Sequence, residues 1–560
     1  MSQTVRVHEV IGRVLAGLGA RTVFGVIGSG NFRVTNALLE HGASFHAARH
    51  EMGAACMADA YSRITGEVGL VSLHQGCGLT NALTGITEAA KCHTPLLVLT
   101  ADTAVGDVTS NFHVDQDALV AATGAVPLRI HSAATAAADA ARAFNVARHD
   151  RQTVVLSMPV DLQEEIVELP GPRTVTVLEH PALQPAQSAV EDLASLLASA
   201  DRPVILGGRG AKDAKGELRA LAGEAGALLI ASGGGRGIFE GDEWALDIMG
   251  GFATEEAAAL VREADLIVAF GAALNDWTTR GGTLTEHARI AQVDDRPEAI
   301  GRHRLVDLGV LGDAAVVARA VRDTLGGTGR RTGYRTPEVR ERVERARYWK
   351  DQPVEPVDEP GFVDPAALTN ALDALIPMER VVSVDGGNVN AYPGAHLRVP
   401  DEQGYCLPLS FQSIGLGLAS SIGAAIARPD RLSVLGVGDG SLLMAAAELD
   451  TAVRFRLGML IVVYNDDAYG AEVHLFPGST LRDQEIIRFP ETDIAAIARG
   501  YGCDALTVRS LDDLAGVTEW LDSPRDRPLV IDAKISGRPS WLMEMGHDFT
   551  GAGGQGTMPT

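Results

Sequence analysis

Two carboxylates stand where a cation and a phosphate group would need them. In the stretch GVGDGSLLMAAAELDTAVRFRLGMLIVVYNDDAYG, Gly436 to Gly470, one apolar run ends at Asp439 and a second ends at Asp466, 27 positions later. In an open parallel sheet ligands sit outside the carboxyl ends of the strands, where helix N-termini turn backbone N–H groups toward anions. If the two runs are neighbouring strands, both side chains converge on one point and repel each other unless a cation lies between them. Oxygen-only donors suit Mg²⁺, which shares its octahedral shell with water and phosphate oxygens. The small residues Gly438, Gly440 and Ser441 would admit a diphosphate to the backbone. A Gly-Asp-Gly triplet alone reads as an ordinary strand-to-helix turn with an N-cap. The acidic turn after the second strand is what adds the metal-diphosphate reading.

The elements that must carry these groups are legible. Short β-rich runs such as GLVSLH, PLLVLTA, TVVLSMP, RPVILGG, ADLIVAFGA, RVVSVDGG, RLSVLGVG, MLIVVYN and RPLVIDAKI alternate with alanine-rich stretches. The runs are apolar without alternation, as strands buried on both faces are, and the alternation predicts parallel sheets covered by helices. Proline-rich residues 165–187 and the segment 326–362 read as linkers. The expected fold class is therefore α/β, with three doubly wound parallel-sheet domains. They are placed at 1–170 (pyrimidine-binding, by the resemblance given below), 188–326 (central, structural) and 360–540 (diphosphate-binding), with a mobile glycine-rich tail at 541–560. The first and third share a plan.

Composition removes other classes. At 560 residues and a formal net charge of −24, the chain lacks the basic surface that nucleic acid requires, and no nucleic-acid partner is expected. The basic stretches GRRTGYR and RERVERARYWK are short and sit among acids, as solvated faces do. Cys56, Cys77, Cys92, Cys406 and Cys503 are odd in number and lack metal-ligand spacing, which points to reduced thiols and a cytoplasmic location. The first twenty residues, MSQTVRVHEVIGRVLAGLGA, read as an amphipathic helix rather than a signal peptide. No run approaches the ~18 apolar residues of a membrane span, so no membrane partner is expected.

The Asp439 to Asp466 segment resembles the thiamine-diphosphate motif, a GDG followed at the mouth of the next strand by a double asparagine. RHEMGAACMADAYSRITGEVGL in the first domain and FQSIGLGLASSIGAAIA in the third are similar to the superfamily of acetohydroxyacid synthases, pyruvate oxidases and 2-oxo acid decarboxylases. ADLIVAFGAALNDW and ARIAQVDDRPEAIG fit its middle domain. The resemblance implies thiamine diphosphate and Mg²⁺ as cofactors, with Asp439, Asp466 and the Ala468 carbonyl on the metal. The usual second asparagine is Asp466 here, and the extra charge should tighten the metal while repelling diphosphate. Asn388, Val389, Gly438, Gly440, Ser441, Tyr469 and Gly470 fall where relatives line the diphosphate. Ile414 falls where an apolar residue wedges the cofactor into its bent shape. Glu51 matches the carboxylate that hydrogen-bonds the aminopyrimidine ring. In isolation Glu51 reads as a helix N-terminal acid favoured by the dipole.

On the substrate side, Ser29 in GVIGSGNF and His74 in LHQGCGLTNA resemble the active-site serine and histidine of benzoylformate decarboxylase. Glu472 falls where pyruvate and indolepyruvate decarboxylases carry a proton-relay glutamate. His113 and Gln116 in NFHVDQD lie near the region that reads substrate in relatives, and His474 is a weaker candidate. Thr278 takes the place of that decarboxylase's middle-domain histidine. The middle domain has GAALNDWTTR where flavin-binding relatives have another segment, so no FAD is expected, and GGRGAKDAKG is a weak nucleotide signal. The resemblance implies an enzyme that decarboxylates a 2-oxo acid and then protonates the carbanion or ligates it to an acceptor aldehyde or ketone. It works as a homodimer at least and as a homotetramer by the same resemblance. The alternatives are a flavin-coupled oxidase and a non-catalytic cofactor-binding relic.

Overall fold

A computed structural model of the chain describes residues 4–168, 181–326, 331–353, 359–476 and 480–543. Three six-stranded sheets organise it, and every strand pair within them is parallel. The central strands are buried along their whole length, which is why their sequences run apolar without alternation.

The N-terminal sheet runs, in spatial order, Ser44–Ala47, Thr22–Gly25, Gly69–Leu73, Leu96–Asp102, Thr153–Pro159 and Val126–Arg129. The C-terminal sheet runs Tyr405–Cys406, Arg380–Val384, Leu432–Gly438, Leu460–Asn465, Leu529–Lys534 and Asp504–Val508. Both follow the same order of second, first, third, fourth, sixth and fifth strand. The central sheet runs Ala245–Ile248, Leu228–Ala231, Pro203–Gly207, Leu266–Phe270, Arg289–Asp294 and Leu308–Leu311, the doubly wound order of dinucleotide-binding folds. In every sheet the order reverses beside the first strand, and a crevice forms there.

The predicted amphipathic N-terminal helix is Val7–Leu18, closed by Gly19 in the left-handed region at φ 108°. The segment read as a linker from residue 165 begins as a strand, Ile166–Glu168, which pairs antiparallel with Thr4–Arg6. Residues 169–180 of the first predicted linker and the tail after Met543 lie outside the described residues, whereas most of the second is described: its helix Pro337–Ala346 packs Val339, Val343 and Ala346 into the core of the central domain.

The two outer domains share one core. Helix Glu51–Thr65 of the first packs along helix Gly417–Ala427 of the third, and Met57, Leu418 and Ile422 lie in a single buried cluster. Small residues between these larger ones let the backbones approach until a Cβ at Gly423 would collide with the Met57 carbonyl. A buried ion cluster reinforces this seam. Arg63 pairs with Asp59 and Glu88 at 2.7 Å each and donates to the Leu407 carbonyl, while Glu88 accepts the N–H groups of Ser410 and Phe411. The loop before Ile414 is thereby held by the first domain.

Candidate active site

Strands Leu432–Gly438 and Leu460–Asn465 are adjacent and parallel, with Gly438 opposite Tyr464, so Asp439 and Asp466 leave neighbouring strand ends side by side. Asp439 is the first residue of helix Asp439–Met444, and its carboxyl is pushed up to about 7 by burial and then by the negative charge of Asp466. Burial likewise raises Asp466 to about 6, against hydrogen bonds from its own N–H and that of Ala468. Two carboxylates buried this close either hold protons or need a cation between them. Among the described residues no three His, Cys, Asp or Glu side chains gather as a metal cluster. A pair alone fits a metal that completes its shell from phosphate oxygens. Asn465 turns the other way, donating to Asp532 within the sheet at 2.9 Å, which leaves Asp466 as the side chain facing the site.

The surrounding glycines make room. A Cβ at Gly440 would lie 2.9 Å from the Tyr469 ring, and one at Gly470 would lie 2.6 Å from Asp466 Oδ2. Gly438 is less constrained, its nearest neighbour being Val389 at 3.5 Å. Asn388, Val389, Gly438, Asp439, Gly440, Ser441, Ile414, Asp466, Ala468, Tyr469, Gly470 and Glu472 all line one cavity of about 1860 Å³. Asn388 also fastens the C-terminal segment, donating to the Arg538 carbonyl and accepting from Ser540 N–H. Glu472 is exposed on helix Gly470–Leu475, whereas His474 on the same helix is outside the cavity lining.

A residue with no motif to announce it, Asp385, fixes the backbone beside Ile414. Its buried carboxylate accepts the N–H groups of Gly386, Gly415 and Gly417 at 2.7, 3.0 and 2.7 Å, holding the turn that follows Ile414. Burial raises it to about 6 against those donors and the Ser441 hydroxyl. Gly415 turns at φ 86°, and a Cβ on Gly386 would lie 2.9 Å from Ile414, so the apolar side chain sits hard against the backbone.

The first domain gathers a second group. Glu51 opens helix Glu51–Thr65, with His50 as N-cap accepting from Met52 N–H at 3.1 Å. Asn81 donates to Glu51 Oε2 at 3.0 Å and is a partner that sequence reasoning did not single out. His74 Nδ1 accepts from Gly30 N–H at 3.3 Å, which leaves the proton of the neutral ring on Nε2. Burial lowers the His74 pKa and Glu51 partly restores it. The two side chains flank Gly78, whose Cβ would lie 3.2 Å from His74 and 3.6 Å from Glu51. Ser29 is exposed on the loop beside His74, and His113 is exposed beside Phe112, whose ring meets His74 edge-on at 4.9 Å. Gln116 is 1 % exposed and holds Gly76 N–H at 2.9 Å, bracing the turn after His74 from behind. Glu51, His74, Ser29, His113 and Gln116 do not line the cavity that holds the Asp439 cradle. The candidate residues thus fall into two groups, only one of which lines this cavity.

The central domain closes the cavity with Thr278, Trp277 and Phe252 on one side and Arg209, Lys212, Arg296 and Arg302 on another. Burial and Arg209 bring the Lys212 ammonium down to about 8. The glycines of GGRGAKDAKG serve backbone packing, with Gly208 N–H on the Phe270 carbonyl and Gly210 N–H on the Gly271 carbonyl.

Comparison with known proteins covers all three sheets. Residues 5–122 match the thiamine pyrophosphate enzyme N-terminal TPP binding domain, 190–321 the central domain, and 385–533 the C-terminal TPP binding domain. A sulfoacetaldehyde acetyltransferase of Rhodobacter capsulatus is 29 % identical across 97 % of this chain and 95 % of its own length. The acetolactate synthase large subunit of Parasynechococcus marenigrum is 28 % identical across 92 % of this chain and 85 % of its own. A probable 2-ketoarginine decarboxylase of Pseudomonas aeruginosa is 27 % identical across 91 % of each. With the three domains matched in order and full-length relatives on either side of the decarboxylase and carboligase divide, the chain belongs to the thiamine pyrophosphate enzymes.

Proposed function

We propose that this protein is a thiamine-diphosphate-dependent enzyme that decarboxylates a 2-oxo acid and either protonates the product or joins it to a second carbonyl compound. The observation that carries the reading is the Asp439 and Asp466 pair, buried at adjacent strand ends in a cradle of glycines. Bound thiamine diphosphate supplies a carbon nucleophile and an electron sink for the pair of electrons left by carbon dioxide.

Asp439, Asp466 and the Ala468 carbonyl would hold Mg²⁺, and Gly440, Ser441, Asn388, Tyr469 and Gly470 would enclose the diphosphate. Ile414, fixed by Asp385, would set the bend between the two ends of the cofactor. Glu51, oriented by Asn81, would accept a hydrogen bond from the aminopyrimidine and move its proton. His74 presents Nε2–H beside Glu51, and Glu472 stands at the other group, so each can give or take a proton at the reacting carbon. The cationic wall of the cavity favours an acid as substrate.

Because Glu51 and Asp439 do not share a cavity within one chain, the complete site would join the first domain of one copy to the third domain of another. Exposed apolar side chains support that pairing. Ile27, Phe32 and Phe112 lie around His74, and Phe411, Leu443, Met444 and Phe489 lie around the cradle. We therefore assign at least a homodimer, with a homotetramer by resemblance. No helix among the described residues is long and apolar enough to cross a membrane. The cytoplasmic location rests on the five scattered cysteines, odd in number and free.

The test is a panel of 2-oxo acids, with and without acceptor aldehydes, offered to protein loaded with thiamine diphosphate and Mg²⁺, following carbon dioxide and products by mass spectrometry. Carbon dioxide release from at least one acid is expected, and Asp439→Ala should abolish it together with Mg²⁺-dependent cofactor binding. Unchanged cofactor affinity in that variant would overturn the site.

A further inference from the structure

The turn that leads into the Glu51 helix is gripped by the third domain. Helix Glu448–Arg454 lies across residues 47–50, and four of its side-chain contacts reach them or their neighbours. Glu448 accepts His50 N–H at 2.9 Å and Arg49 N–H at 3.1 Å on one oxygen, while Thr451 donates to the other at 2.6 Å. Asp450 pairs with the Arg49 guanidinium at 2.6 Å, and Arg454 donates to the Ala47 carbonyl at 2.7 Å.

Glu448 is 2 % exposed, and burying a carboxylate is costly unless its oxygens are fully occupied. Capping the helix does not demand it, because His50 already accepts from Met52 N–H. The Glu51 helix also gives way to it. Gly53, in its first turn, is placed so that any Cβ would strike Glu448 Oε1, and glycine is a poorer helix former than alanine. Both domains therefore accept a local cost so that this carboxylate can hold the two residues immediately before Glu51.

We infer that Glu448 is a positioning residue for Glu51, clamping the backbone from which that carboxylate projects. The inference rests on the proposed role of Glu51 in the cofactor's proton transfer. Glu448 follows Asp439 by nine positions, so one short segment begins at the metal cradle and ends at the clamp. In the paired arrangement that cradle belongs to one site and the clamped Glu51 to the other.

The experiment uses the full chain with Glu448→Ala, Glu448→Gln, Glu51→Gln and the double variant Glu448→Ala/Glu51→Gln. Amide hydrogen exchange at Arg49 and His50 should quicken at least about tenfold in Glu448→Ala, and protected amides there would overturn the clamp whatever Glu51 does. Turnover should fall by about 10- to 100-fold in Glu448→Ala, with the cofactor dissociation constant and KM held within about threefold. Glu448→Gln, which keeps the shape and one acceptor, should fold as the parent does and lose less. In the double variant Glu448→Ala should cost nothing beyond Glu51→Gln, because it acts only through that residue. Losses that multiply would mean a general structural role and overturn the inference. Full turnover in Glu51→Gln would instead overturn the reading of Glu51, a result separate from the exchange data.

Discussion

The first and third domains have one strand order and one crevice, yet they use the crevice in opposite ways. In the third domain the crevice beside strand Arg380–Val384 is open, lined by Gly386, Asn388, Gly438, Asp439 and Gly440. In the first domain the equivalent place beside Thr22–Gly25 is filled by protein. A Cβ at Gly28 would lie 2.7 Å from the His74 ring, and one at Gly30 would strike the Gln75 side chain. Asn31 ties the loop to Gly28 N–H and the Ser72 hydroxyl. The difference teaches that topology supplies a place for a ligand and side chains decide whether it is kept. The third domain leaves backbone N–H groups and acids facing the space. The first closes it with an imidazole and carries its acid one strand further out, on the helix that follows Ser44–Ala47.

Filling the two crevices should therefore break different things. Gly470→Ala places a methyl against Asp466 Oδ2, and it should weaken Mg²⁺-dependent cofactor binding by about 100-fold in calorimetric titration. Gly28→Ala pushes His74 aside, and it should leave cofactor affinity within about twofold while turnover falls by about tenfold. Equal effects on affinity would erase the contrast between the domains.

A pH series sharpens the same contrast. Without metal, Asp439 and Asp466 hold protons in the folded chain up to about 7 and 6, against a model-compound value of 3.8. The folded state thus binds more protons than the unfolded state across that window, and its stability falls as pH rises from about 4 to 7. Metal binding requires the ionised pair, so Mg²⁺ with thiamine diphosphate should raise the melting temperature more at pH 8 than at pH 5. Equal rises would contradict the assignment of these acids to the metal.

The smallest effect is expected at Asp466 itself. Asp466→Asn supplies an amide, keeps an oxygen donor, and removes one charge from the proposed diphosphate site. Cofactor affinity should change by less than about tenfold in either direction in the same titration, far less than for Gly470→Ala.

Much of this could be seen in the sequence because it is local. Buried parallel strands show as apolar runs, and Asp439 and Asp466 stand at the ends of two of them. Glu51 could be placed at a helix start from RHE alone. Short edge strands such as Tyr405–Cys406 have no run long enough to see. Asp385, Asn81 and Glu448 were hidden for a different reason. Their roles lie in contacts with distant residues, Glu448 with His50 across 398 positions and Asp385 with Gly417 across 32. Gln116 shows the converse, since a loop position that reads as facing substrate is turned inward by its bond to Gly76. Nothing local distinguishes a carboxylate that clamps from one that solvates.

The central claim is that the third domain binds the diphosphate while Glu51 of the first supplies the chemistry. Glu51→Gln, titrated with thiamine diphosphate and Mg²⁺ and then assayed for carbon dioxide release from the best 2-oxo acid, tests it most directly. The account predicts near-normal cofactor affinity with turnover lowered by about 10²- to 10⁴-fold. Turnover equal to that of the parent protein would contradict it.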